Sequence, residues 1–114
     1  MKAEDVIALA RRELNDAEPG NYRWPDDVLL AHLNRALVRL NQDRPDLLLT
    51  EAGAMTAFAE AAATTDTLVY GATARTALVH HVCFSALSED SDNAANAKRA
   101  ANYQTQYAYD IGRK

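Results

Sequence analysis

The side chains with the chemistry for catalysis or metal binding are few: three histidines, His32, His80 and His81, and one cysteine, Cys83. A single cysteine excludes an intrachain disulfide and a cysteine-based zinc site. Adjacent helical residues point about 100° apart, so His80 and His81 do not converge on one ion. Neither has a histidine or a carboxylate four residues on, the spacing a helical zinc site needs. His80 stands three residues before Cys83, which is close enough for a Cys–His pair. A nucleophilic thiol also needs exposure, a lowered pKa and a third group to orient its base. No third group is evident, and Cys83 lies in an apolar row where cysteine acts as a small hydrophobe. The carboxylate pairs Asp26/Asp27 and Glu89/Asp90 sit where helices begin or end, so capping accounts for them without acid–base chemistry. Four scattered glycines make no phosphate-cradling loop. The expectation is therefore no catalytic residue, no metal ligand and no cofactor. Neither zinc nor an organic cofactor should copurify, and Cys83→Ser should act only through folding.

The groups left are basic and aromatic. Arg35 and Arg39 share one helix face, but Asp43 and Asp46 dilute their field. They read as a solvated face, or as ion pairs to a neighbouring subunit, before a DNA-contacting surface. The formal net charge of −4, from 12 Lys+Arg against 16 Asp+Glu, points the same way. Tyr103, Tyr107 and Tyr109 crowd the C-terminal end, followed by Ile111, Arg113 and Lys114. Tyr103 and Tyr107 fall on one stripe, and Tyr109 is turned away from it. Tyr107, Tyr109, Ile111, Arg113 and Lys114 form the candidate docking surface, because Tyr and Arg are enriched at interfaces. The alternative is a last helix that closes the bundle and then frays.

The elements that must position these residues follow from length and periodicity. A chain of 114 residues, 48% hydrophobic and 25% charged, fits one soluble domain spanning 1–114, with 103–114 as its tail. No segment approaches the roughly 18 apolar residues of a membrane span. Met1-Lys2-Ala3-Glu4-Asp5 turns acidic where a signal peptide would turn apolar, so the expected place of synthesis is the cytosol. Alanine is about a fifth of the residues. It favours helix and buries little area. Such a thin core either gains stability from partner subunits or packs its helices closely.

Four helices are predicted. Ala3, Val6, Ile7, Ala10 and Leu14 place the first over Lys2 to about Asp16. The second is led in by Tyr22-Arg23-Trp24-Pro25 and runs to Asp43, with Leu29, Leu30, Leu33, Leu37 and Leu40 as its stripe. Pro25 presets its first turn, Trp24 staples onto Val28 or Leu29, and Arg44-Pro45 ends it. The third spans Ala72 to Ser88, with Leu78, Val82 and Ala86 beside Val79, Cys83 and Leu87. Its broad apolar face predicts the most buried helix. The fourth runs from about Asp92 to Asp110, with Ala100, Tyr103, Tyr107 and Ile111 in line and Gly112 as its stop. Between the second and third, Leu47–Thr50, Met55–Phe58 and Thr67–Tyr70 are short runs with β character. A short hairpin or irregular excursion is the first reading there, and a short helix over Ala59–Ala63 the second. The fold class is all-α, a small four-helix domain with that excursion between helices two and three, and the expected core includes Leu33, Leu37, Leu40, Leu78 and Val82.

The order of these features carries a resemblance. Arg23-Trp24-Pro25-Asp26-Asp27-Val28-Leu29-Leu30-Ala31-His32-Leu33-Asn34-Arg35-Ala36 resembles the Arg-Trp-Ser/Thr-Asp-x-x-Leu-Leu-x-x-Leu-Asn-x-Ala/Gly pattern of small tailed-phage head-tail adaptor (connector) proteins. Arg44-Pro45-Asp46 is similar to a turn that often follows in that family. Ala77-Leu78-Val79-His80-His81-Val82-Cys83-Phe84-Ser85-Ala86-Leu87-Ser88-Glu89-Asp90 resembles a second block, and Ala97 to Tyr103 an Ala-rich helix ending in an aromatic. Pro25 departs from the usual Ser or Thr, and the segment from Thr50 to Asp66 is shorter and richer in alanine than the family's. The resemblance implies a structural virion protein of the bacteriophage neck, made in the bacterial cytoplasm, with no enzyme activity. It implies a ring of about twelve copies docked on the portal protein, joined to a downstream neck or tail protein, with a C-terminal segment reaching the portal. A helix-turn-helix DNA-binding regulator is the competing class. The long loop between the first two helices and the negative charge disfavour it.

Overall fold

The protein is described by a computed structural model over residues 1–16, 18, 20, 22–49, 52–89 and 94–112. Asp90, the Ser91-Asp92 break, Arg113 and Lys114 lie outside the described residues, as do Pro19 of the Pro-Gly turn and Thr50.

Four α-helices form where the apolar stripes require them: α1 over Ala3–Glu13, α2 over Asp26–Asp43, α3 over Arg75–Glu89 and α4 over Ala94–Asp110. Each buries most of its stripe, with Leu30 of α2 and Tyr103 of α4 half-buried at the edge. Ala3, Val6, Ile7, Ala10 and Leu14 of α1 meet Leu29, Leu33, Ala36, Leu37 and Leu40 of α2 in one cluster with Leu78, Val82, Cys83, Ala86 and Leu87 of α3. All five core leucines and valines expected from the sequence are fully buried. α3 touches each of the other three helices, and α4 packs along it. The result is a slab measuring 45 × 33 × 16 Å. Alanines at Ala10, Ala36, Ala77, Ala86 and Ala100 let the helix axes approach closely enough for that thickness.

The helix ends follow local chemistry. Asp5 accepts a hydrogen bond from the Lys2 N–H, closing the first turn of α1 (2.8 Å). α1 stops earlier than its periodicity suggested, because Asn15 adopts φ +58° and reverses the chain. Asp16 N–H then reaches the Arg11 carbonyl (2.8 Å) and Asn15 N–H that of Arg12 (3.2 Å), the paired bonds of a Schellman motif. Pro25 caps α2 from one position before the helix, in extended backbone, and its carbonyl accepts from the Val28 and Leu29 amides. Gly112, at φ +72°, ends α4 as its position implied, with its N–H on the Tyr109 carbonyl.

The hairpin expected between α2 and α3 does not form among the described residues. Pro45–Leu48 is instead a short 3₁₀ turn that drops Leu48 into the core, and Ala72–Ala74 is a second such turn leading into α3. Two isolated antiparallel pairings remain, Leu49 with Met55 and Lys2 with Thr67. The Thr67 run pairs with the N-terminus: Ala3 N–H reaches the Asp66 carbonyl and Leu68 N–H the Met1 carbonyl, both at 2.9 Å. The helix read over Ala59–Ala63 is absent too. Asn34 in α2 holds Ala61 by both amide atoms, donating to its carbonyl (2.8 Å) and accepting from its N–H (2.9 Å). That clamp takes the backbone groups a helix would use and fixes the chain as it crosses α2.

Candidate docking surface and the clasps around it

The residues of the Arg-Trp-Pro-Asp block hold α1 against α2. Asp16, buried, accepts from Arg11 Nη1 (2.9 Å), from the Arg23 N–H (2.7 Å) and from the Trp24 N–H (3.2 Å). Arg11, also buried, sends Nη2 to Asp26 (2.6 Å), and its guanidinium lies 3.5 Å over the Tyr22 ring. Asp26 was expected to cap α2; it serves as the second counter-charge of Arg11. Trp24 is buried in the hydrophobic core, and Val28 is half-buried against that core. Neither Arg11 nor Asp16 stood out in the sequence. The one available signal was an Asn-Asp pair at a helix end, which marks a left-handed stop followed by an acceptor.

The histidines all find other partners than a metal. His32 is buried and its Nε2–H donates to Glu89 at 2.6 Å, tying α2 to the end of α3. Burial nevertheless holds its pKa below the ordinary value. His80 Nδ1–H donates to Asp110 of α4, and its ring packs on Tyr103. His81 meets the edges of Phe84 and Tyr107. Among the described residues, no three His, Cys, Asp or Glu side chains gather as a metal site.

Cys83 is fully buried, with its thiol 3.8 Å from the Ala10 carbonyl, and burial pushes that thiol up to about 12. The thiolate is the reactive form, so the native thiol should be inert at neutral pH. Thiol titration is expected to count no reactive group in the folded chain and one after unfolding. Stoichiometric native labelling would contradict the burial.

His81 links stability to pH. Burial first, then Arg39, pushes it from 6.5 down to about 4, with Asp43 acting in the opposite sense. Between those values the unfolded chain binds a proton that the folded chain does not. Stability is therefore full above about pH 6.5 and falls as pH is lowered toward 4. His81→Phe keeps an aromatic ring against Tyr107 and should flatten the urea midpoint across this window. His32, also held below its ordinary value by burial, would contribute in the same sense. An unchanged slope would assign the whole effect elsewhere.

The five-residue C-terminal set divides. Tyr107 is buried, its hydroxyl donating to Asp43 (2.8 Å), and Ile111 is buried behind it. Both close the core, because 103, 107 and 111 repeat every fourth residue and keep one inward face. Arg44 fastens this end, donating to the Ile111 carbonyl (2.5 Å) while it pairs with Asp46 (2.8 Å). Tyr103 donates to Glu13 (2.9 Å), joining α4 to α1. Tyr109 alone of the described members faces out, 82% exposed. On the Arg35–Arg39 face, Arg39 pairs with Asp43 one turn on (2.9 Å), and Arg35 is exposed.

Among the described residues, fold and clasps together define a small, flat, all-α domain of four helices. No helix among the described residues is long and apolar enough to cross a membrane. The chain matches no family model, no characterised protein and no solved structure.

Proposed function

We propose that this chain is a structural head-tail adaptor of a tailed bacteriophage or prophage, a ring-forming neck protein that docks on the portal and links the filled head to the tail. The observation that carries the reading is the block from Arg23 to Ala36. Of the resemblance's distinctive members in this block, Trp24 is buried and Asn34 clamps Ala61, and Asp26 of the same block pairs with Arg11. The slab shape and alanine-rich packing suit a subunit that completes its stability against neighbours.

Tyr109 is the anchor this reading assigns to the portal or the next neck protein, with Arg113 and Lys114 following it in the chain. Tyr107 and Ile111 support it from the core. Removing everything from Tyr109 onward would also remove Ile111 and the carbonyl that holds Arg44, so a point change is the cleaner probe. Tyr109→Ala should leave unfolding unchanged. It should weaken binding to portal-bearing, DNA-filled heads by about 2 kcal/mol or more, near thirtyfold in Kd. Co-sedimentation with tailless heads reads this directly. Wild-type chain that ignores the heads but retards duplex DNA as a dimer would move the assignment to a DNA-binding regulator. Unaltered head binding by the Tyr109 variant would move the docking surface to α1 and α2.

A further inference from the structure

Two arginines line one groove between α1 and α3. Arg12 comes from α1 and Arg75 from α3, Leu9 and Val79 form an apolar floor, and Thr76 adds a hydroxyl. The cavity measures about 280 Å³, room for a small molecule. Both arginines are exposed, and among the described residues neither side chain has a hydrogen-bond or ion-pair partner. The other ionisable groups of the groove are engaged, each toward α4. The Glu13 carboxylate accepts from the Tyr103 hydroxyl (2.9 Å), and the Arg99 guanidinium, 3.1 Å from the Glu13 carbonyl, offsets its charge. His80 gives its Nδ1–H to Asp110. Helix ends do not account for the arginines as a pair. Arg12, in the last turn of α1, suits that helix's dipole, whereas Arg75, in the first turn of α3, works against it, and no acidic residue shares that turn. The amides of Ala74 and Arg75 are spent on the Gly71 and Ala72 carbonyls, so the donors on offer are side chains. A chain of net charge −4 thus holds two forked cations in one cavity with no anion left to pair with them.

We propose that this groove binds a phosphate monoester, its phosphate held by Arg12 and Arg75 and an apolar or aromatic body lying on Leu9 and Val79. Each guanidinium presents a fork of parallel N–H donors, and the three terminal oxygens of a monoester can accept from both forks. A carboxylate has two oxygens, which one fork fills. Charge decides in the same direction. A monoester carries about −1.5 to −2 at pH 7, which matches two cations, whereas a carboxylate or a phosphodiester carries a single charge. The Thr76 hydroxyl supplies a neutral donor beside them. One pair of cations takes one phosphate group; a nucleic-acid backbone needs a longer basic track. The phosphate can belong to a free small molecule or to the phosphorylated end of a nucleic-acid strand, since the groove reads the same group in both. The inference does not rest on the adaptor reading.

Calorimetric titration of the full chain with phenyl phosphate at about pH 7.5, where the monoester is dianionic, should give saturable binding with a Kd of about 1 mM or tighter. Methyl phenyl phosphate keeps the body and has one charge fewer, and inorganic phosphate keeps the charge and lacks the body. Each should bind at least about tenfold more weakly. Arg12→Gln and Arg75→Gln should each weaken phenyl phosphate at least about tenfold, with unchanged helical circular dichroism, because neither side chain holds another element. Arg35→Gln removes an exposed arginine of α2, outside the groove, and should change nothing. A 5′-phosphorylated oligonucleotide separates the two sources. Binding tighter than that of phenyl phosphate and lost on dephosphorylation assigns the groove to strand ends; binding no tighter assigns it to a small molecule. No saturable binding of phenyl phosphate, equal binding of its methyl ester, an equal loss in Arg35→Gln, or oligonucleotide binding indifferent to the terminal phosphate would each overturn the proposal. The ester comparison uses the wild-type chain alone, so it decides even where a variant folds poorly.

Discussion

Replacing Asp16 by alanine is expected to destabilise the fold by about 3–5 kcal/mol, the range for breaking a buried ion pair from one side. The reason is the company Asp16 keeps. Its carboxylate takes the Arg11 guanidinium and the two backbone amides that lead into α2, those of Arg23 and Trp24. Alanine would leave Arg11 buried with only Asp26, whose side chain is 64% exposed, to balance it. It would also leave the Trp24 amide in the interior without an acceptor. Asp16→Asn keeps the shape and one acceptor oxygen, so it should cost less than alanine but more than a surface change. Urea unfolding of the three proteins orders them. A loss near zero for Asp16→Ala would mean that α1 and α2 are held by their apolar faces alone. Domains of this size have about 5–15 kcal/mol of stability in all, so the alanine variant should be close to unfolding at 37 °C.

Leu37→Ala should cost about 2–5 kcal/mol. Leu37 is fully buried in the middle of the α2 stripe, in the cluster shared by α1, α2 and α3. In a slab only 16 Å thick there are few neighbouring layers to collapse into the space left behind, which favours the upper part of that range. Val38, the next residue, is exposed and gives the control: Val38→Ala should lie within about 0.5 kcal/mol of wild type. Similar losses at both positions would mean that the stripe had been assigned to the wrong face.

What could be read from the chain in advance was what repeats. The stripes of α1 to α4 are periodic over several turns, and every residue on them that was expected to be core is core. Gly112 as a stop and Trp24 as a packed lead-in also followed from local chemistry. The Arg11–Asp16 clasp did not, because its members only meet once the chain has turned at Asn15 and returned along α2. The excursion is irregular, one of the two forms expected, and the hairpin read into it fails for the same reason at longer range. Thr67 pairs with Lys2 across most of the chain, and Asn34 fixes Ala61 from another element, so nothing within residues 47–71 announces either contact. The C-terminal set was half legible. Four-residue spacing already put Tyr107 and Ile111 on one side and Tyr109 on the other. The composition of that end, tyrosines followed by arginine and lysine, drew all five into one surface when only the outward members are available for one.

One consequence of the histidine–carboxylate pairs concerns mechanics. α3 is hooked near its start, by His80 to Asp110 of α4, and at its end, by Glu89 to His32 of α2. The hooks lead to different neighbours. A push along the α3 axis that slackens one does not relieve the other, and a slip of one helical turn, about 5.4 Å, breaks both. A piston motion of this helix therefore has to break both hooks before it can advance one turn. The same two hooks link α4 through α3 to α2, so a load entering at α4 has a side-chain path to α2.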